Sequence, residues 1–206
     1  MTAPLSISRI ALLGGSFDPV HNGHLALATA AWQSGKYDAV WFVPAASSPF
    51  KIGRMNASAE ERIDMLRLSL NGCPAFDICL EDISRKGVSY TIDLIARLCK
   101  LHPNVRFTFL IGGDSLRTLA KWKRATDLVK CCDFETFGRS GIPLDADSIG
   151  FDPQTNRRLL QNYHPEFDCP VSSTQIRNAI AANAAIDGLV PPAVADYIRK
   201  HQLYSA

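Results

Sequence analysis

Short apolar runs alternate along this chain with longer stretches whose apolar residues recur at helical spacing, and few architectures accept that alternation. Runs at 9–13, 40–43, 76–80, 105–111 and 131–137 predict strands. Stretches at 24–32, 58–70, 91–101, 115–120, 125–130, from Ser173 onward and at 193–201 predict helices. Ile92, Ile95 and Leu98 share one helical face, as do Ile63, Leu66 and Leu70, and Ser58 with Glu61 offers a capping box. Pro44 ends the second strand, while Pro191 and Pro192 open the last helix, where a missing N–H costs nothing. Residues 138–164 read as an irregular connection rich in Gly and Pro, followed by a short strand at 167–169. Strands alternating with helices join by right-handed crossovers into a mostly parallel sheet. The fold class is therefore α/β: one domain over residues 1–206, Rossmann-like and doubly wound, with helices on both faces of the sheet.

Composition narrows the function. A chain of 206 residues buries a sizeable core without covalent staples. With 47% hydrophobic and 20% charged residues it has neither a disordered nor a membrane composition, and a net charge of +2 gives no reason to expect nucleic acid as a partner. The six cysteines, at 73, 79, 99, 131, 132 and 169, form no C-x-x-C and no zinc-like cluster, so reduced, mostly buried thiols are expected. The N-terminal stretch lacks a basic leader, and no run approaches the ~18 apolar residues of a membrane span. The expected location is the cytoplasm, with no membrane partner.

In an open parallel sheet, ligands bind at the carboxyl ends of strands, where loops enter helices. That rule singles out residues 14–24, 44–51, 112–114 and 172–177. The first reads GGSFDPVHNGH. Gly14 and Gly15 let backbone approach a ligand, and the helix that follows presents N–H groups and a positive dipole end. Asn22 is a candidate N-cap, and His21 and His24 are placed to face one anion, with Gly23 keeping the space between them clear. A lone H-x-x-H is often incidental and a glycine pair after a strand is often only a turn. A dinucleotide oxidoreductase would carry G-x-G-x-x-G at this place, and the chain has G-G-S-F-D-P instead. The last segment, VSSTQIRN, opens a helix with Ser172, Ser173 and Thr174 and places Arg177 one turn in, where a guanidinium reaches phosphate oxygens. An ordinary Ser/Thr cap with a surface Arg is the bland alternative, and the pairing with the first segment favours phosphate.

Together these segments resemble the nucleotidyltransferase superfamily marked by H-x-G-H and S-[ST]-T-x-x-R, and within it the bacterial nicotinate-nucleotide adenylyltransferases. ERIDML at 61–66, SYTIDLI at 89–95, FLIGGDSL at 109–116 with Lys121-Trp122, RSGIPL at 139–144 and the closing LVPPAVADYI extend the resemblance nearly end to end. Two positions depart: Phe50 stands where the family has a His, so that more of the phosphate work falls to Lys51, and Ser140 stands where it has a Pro.

The resemblance implies adenylyl transfer from ATP to nicotinate mononucleotide, giving nicotinate adenine dinucleotide and pyrophosphate in NAD biosynthesis. Nicotinamide mononucleotide as substrate, dual specificity, or a non-catalytic nucleotide-binding homologue are the alternatives. It further implies His21, His24 and Arg177 as catalytic residues. ATP would bind at Gly14, Gly15, Ser16, Phe17, Gly112, Asp114, Ser173 and Thr174, with Asp114 on a ribose hydroxyl or a metal-bound water. Lys51, Thr91 and Trp122 would hold the mononucleotide, with Trp122 against the pyridine ring and the start of the Thr91 helix reading the carboxylate. Mg2+ is expected on the phosphates and water, with no protein ligand. Oligomeric state is left open.

Overall fold

The strand at the centre of the molecule is buried on both faces: in β1 (Arg9–Gly15), Ile10, Ala11, Leu12 and Leu13 are all enclosed, as a parallel strand covered on both sides requires. The computed structural model describes residues 9–46, 56–85, 88–138, 145 and 148–205. After β1 come α1 (Asn22–Gln33), β2 (Ala39–Pro44), α2 (Ala59–Leu70), β3 (Phe76–Ile78), α3 (Thr91–Leu101) and β4 (Arg106–Gly112). The second half holds α4 (Gly113–Thr118), a 3-10 turn at Leu119–Lys121, α5 (Ala125–Cys131), β5 (Asp133–Phe137), α6 (Pro153–Leu160), β6 (Tyr163–His164), α7 (Ser173–Ala181) and α8 (Pro192–Lys200).

The sheet is parallel in the order β3-β2-β1-β4-β5-β6. Leu12 sits between Trp41 of β2 and Phe109 of β4. Alternate residues feed two cores. Ala11, Leu13, Val40, Phe42 and Leu110 meet α1, α2, α7 and α8 through Ala28, Leu66, Ile176 and Val194. Ile10, Leu12, Phe107, Phe109 and Phe134 meet α3, α5 and α6 through Ile95, Leu98, Leu128 and Leu159. The chain leaves β1 on one side toward β2 and β3, then crosses to β4 on the other. The carboxyl ends of β1 and β4 therefore flank the crevice where connections diverge.

The predicted doubly wound α/β fold is the one observed, and several local expectations change. β2 runs through Pro44, whose missing N–H matters little at a strand's last residue. β3 ends at Ile78 rather than residue 80. Residues 138–164 are not wholly irregular: Asp152 caps α6 by accepting from the N–H groups of Gln154 and Thr155, with Pro153 at the first helical position. The strand expected at 167–169 is absent. Instead Tyr163–His164 pairs with β5, Phe137 opposite His164. Thiols are not mostly buried either, since Cys73, Cys99 and Cys131 are exposed while Cys79 and Cys132 are enclosed. β5 tolerates a carboxylate because Glu135, 1% exposed, receives the Tyr37 hydroxyl, Lys36 Nζ at 2.9 Å and His164 Nε2 at 2.6 Å. No helix among the described residues is long and apolar enough to cross a membrane.

Candidate active site

The turn out of β1 is shaped by what its glycines allow. A Cβ on Gly14 would lie 2.5 Å from the Phe109 ring, and one on Gly15 would lie 3.0 Å from the Phe17 ring. Phe17 adopts a left-handed φ of 49°, which turns its side chain into the core under the loop. Its ring meets the His24 ring edge-on at 4.8 Å. His21, in extended conformation, holds the N-cap position of α1 that Asn22 was expected to hold. Asn22 is committed elsewhere: its N–H donates to the Leu189 carbonyl at 2.9 Å and its side chain to the Gly188 carbonyl at 2.8 Å.

His21 and His24 stack, with ring centroids 3.7 Å apart and planes 25° from parallel. The backbone N–H of His21 donates to Nδ1 of His24 at 3.3 Å. That contact makes Nδ1 an acceptor, so the neutral His24 ring carries its proton on Nε2, a donor suited to a phosphate oxygen. Between them Gly23 leaves room that a side chain would take, since its Cβ would lie 2.6 Å from Cys169 Sγ and 2.9 Å from His21 Nδ1, and one of these would have to shift.

α7 is tied to the same turn. Ser172 caps it by accepting from the Gln175 N–H at 3.2 Å. Ser173 Oγ donates to the Pro19 carbonyl at 2.9 Å. Arg177 donates from one terminal nitrogen to the Asp18 carbonyl at 2.7 Å and from the other to Thr174 Oγ1 at 3.3 Å. The hydroxyls of Ser173 and Thr174 thus serve protein partners, and the first-turn N–H groups of α7 are what these two residues offer an anion. The start of α7 and its guanidinium thus meet Asp18-Pro19, just ahead of the stacked imidazoles at the start of α1.

Sequence reasoning passed over Asp18 itself. Its carboxylate is 3% exposed and accepts from the N–H groups of Asn56 and Ala57, each at 3.0 Å, and from the Tyr204 hydroxyl at 2.9 Å. Only the tertiary fold brings residues 56, 57 and 204 to it, and no local spacing signals that.

On the other side of the turn lies a cavity of about 360 Å³ whose walls include Gly14, Gly15, Ser16, Tyr90, Thr91 and Trp122. Trp122 stands edge-on to Phe109 at 6.3 Å, and its buried Nε1 has no hydrogen-bond partner among the described residues. Thr91 is the first residue of α3, whose N-cap residue Tyr90 supplies no side-chain cap, so N–H groups remain open there. Lys123 joins the walls, its Nζ 4.2 Å above the Tyr90 ring and 3.1 Å from Asp93 Oδ2.

The predicted residues therefore fall into two groups joined by Gly14 to Phe17. His21, His24, Ser173, Thr174 and Arg177 gather at the paired helix N-termini, and Thr91 and Trp122 line the cavity. Gly112 caps α4, where a Cβ would meet nothing within 4 Å, so close packing does not demand glycine there. Asp114 is exposed in the first turn of α4, outside the cavity lining. Lys51, Phe50 and Ser140 lie outside the described residues.

Residues 12–179 match the cytidylyltransferase-like family. A relative from Halalkalibacterium halodurans named "Probable nicotinate-nucleotide adenylyltransferase" is 40% identical over 199 residues, covering 96% of this chain and 92% of the relative. One of the same name from Chlorobaculum tepidum is 40% identical over 202 residues, covering 96% and 100%. The solved structure of Plasmodium falciparum nicotinic acid mononucleotide adenylyltransferase complexed with NaAD superposes with a TM-score of 0.76, at 22% identity over 96% of this chain and 97% of that one. At that identity the likeness speaks for the fold.

Proposed function

The chain belongs to the nicotinate-nucleotide adenylyltransferases of the cytidylyltransferase-like family, and from that premise we propose how its residues carry the reaction. It transfers the adenylyl group of ATP to nicotinate mononucleotide, a step of NAD biosynthesis. A 5′-phosphate oxygen of the mononucleotide forms a bond to the α-phosphorus as the bond from that phosphorus to the bridging oxygen breaks. Pyrophosphate leaves with the electron pair. The nucleophile is already an anion, so no base is needed, and catalysis rests on positioning two polyanions and stabilising charge in flight.

His24 donates from Nε2 to the α-phosphoryl oxygens, with His21 stacked behind it. Arg177 and the N–H groups of Ser173 and Thr174 receive the β- and γ-phosphates and then the departing pyrophosphate. Gly14, Gly15, Ser16 and Phe17 supply close backbone along the chain of phosphates, with Gly112 and Asp114 at the nucleoside end. The mononucleotide takes the cavity, its ring against Trp122 and its carboxylate at the open N–H groups of α3 beside Thr91, with Lys51 as a further phosphate contact. These donors fit phosphate oxygens better than a metal, and among the described residues no three His, Cys, Asp or Glu side chains converge on one point. Mg2+ would be held by the phosphates and water and would supply further charge neutralisation there.

The observation that most supports this reading is that Ser173 and Arg177 of α7 hydrogen-bond the Pro19 and Asp18 carbonyls, just ahead of the stacked His21 and His24 at the start of α1. Pyrophosphate release from ATP and Mg2+ with nicotinate mononucleotide, measured beside nicotinamide mononucleotide, tests it. Preference for the acid is expected. Equal rates would remove the α3 N-terminus as a carboxylate reader, and silence with both would overturn the assignment of the site.

A further inference from the structure

Arg62, the second residue of ERIDML in number but the largest fully buried side chain in effect, has no part in the contacts so far assigned to substrates. It is 1% exposed and lies on α2, behind the sheet's carboxyl edge. One terminal nitrogen donates to the Ser16 carbonyl at 2.7 Å and to the Ala45 carbonyl at 2.9 Å. Its Nε has no partner, and no carboxylate forms an ion pair with it, among the described residues. Burying a guanidinium without a paired carboxylate costs stability, so a helix that needed only to pack would carry an apolar residue here.

What the guanidinium does follows from the peptide plane. In a trans peptide the C=O and N–H point opposite ways. Holding the Ser16 carbonyl toward Arg62 therefore turns the Phe17 N–H away from it, within the stretch assigned to the phosphates. Holding the Ala45 carbonyl turns the Ala46 N–H the other way as well, and that N–H donates to Ser89 Oγ at 3.0 Å. Ser89 stands two residues before Thr91 and lines the cavity together with Ser16 and Ala45. One buried nitrogen thus sets two peptides, one in the turn after β1 and one after β2, and through Ser89 it reaches the start of α3. Burial disfavours its charge, and the Asp18 carboxylate in the same turn opposes that effect.

We propose that Arg62 is a positioning residue for adenylyl transfer, fixing the phosphate-binding turn and the mononucleotide cavity relative to each other by bridging the Ser16 and Ala45 carbonyls. The inference rests on the function proposed above. A displaced turn still admits both substrates but misaligns them for in-line attack, so kcat carries the effect more than either KM.

Arg62→Lys keeps the charge and loses the planar fork, and Arg62→Met keeps much of the volume and loses both. Each is assayed by pyrophosphate release under saturating and limiting substrate, next to the melting temperature and circular dichroism of the same preparation. Expected are a fall in kcat of about 10-fold for Lys and about 100-fold for Met, with both KM values within about 3-fold of the unsubstituted protein. If Met prevents folding, the Lys variant decides alone. Turnover per folded molecule within about 2-fold of the unsubstituted protein, whatever the melting temperature, would leave Arg62 a packing residue and overturn the inference. Silence of the unsubstituted protein would instead strike the function on which the inference rests.

Discussion

Gly23→Ala separates geometry from stability at the histidine pair. The added methyl meets Cys169 Sγ at 2.6 Å and the His21 ring at 2.9 and 3.0 Å. Cys169 Sγ ends a short side chain that can rotate aside. The His21 ring cannot, because it is 7% exposed and stacked on His24 at 3.7 Å. To reach ordinary contact it must retreat by about half an ångström, and the stack carries that shift to His24. Alanine gains up to about 1 kcal/mol of helix propensity over glycine, whereas overpacking costs about 1–3 kcal/mol, so the net loss of stability stays within about 3 kcal/mol. Since a misplacement of about 1 Å can cost 100-fold in rate, half of that predicts a fall in kcat of about 10-fold with KM little changed. Pyrophosphate release gives the rate and thermal unfolding the stability. In Gly23→Ala/Cys169→Ala the sulfur contact is gone and the ring contact stays, so neither kcat nor the stability lost to the ring contact recovers. Full turnover in the single variant, or rescue of turnover in the double one, would refute transmission through His21.

His24→Ala should lower kcat by about 100- to 1,000-fold, the range for one lost transition-state donor, with a smaller change in KM for ATP. Near-normal kcat would make the ring a support for Phe17. At Glu135, burial pushes the carboxyl pKa up, but hydrogen bonds from Tyr37, Lys36 and His164 outweigh it and hold it below the usual carboxylate range. A depressed carboxylate stabilises the fold fully above its unfolded pKa of about 4.3 and loses that contribution as pH falls through the folded value. Urea unfolding of the protein and of Glu135→Gln should therefore differ by about 1–3 kcal/mol at pH 7, with the difference unchanged down to the unfolded pKa and narrowing as pH falls below it toward the folded value. A difference that grew on acidification would remove the charge from the explanation.

Local signals carried much of this architecture. Ser58 and Glu61 form the capping box their spacing predicts, and Thr91–Leu101 begins and ends where its periodicity does. That His21, His24 and Arg177 lie around one turn was legible because the rule for open parallel sheets pointed to the segments that hold them. α6 had its own start signal in Asp152-Pro153, which the surrounding Gly and Pro obscured. β6 spans two residues, too few for alternation to show, and 167–169 alternates without a neighbouring strand to pair with. Arg62 and Asp18 were illegible for a different reason. Their meaning lies in partners from other segments, and a charged residue on an amphipathic helix reads as solvated until the fold encloses it.

The contacts of Asp18 also set an order of assembly. Its carboxylate is met by a hydroxyl 186 positions later, and its carbonyl by a guanidinium 159 positions later. A chain growing from its N-terminus makes the turn after β1 first and must hold it unfinished while the rest of the sheet is synthesised. The turn should consequently reach its final form only once residues 177 and 204 are free to close on residue 18.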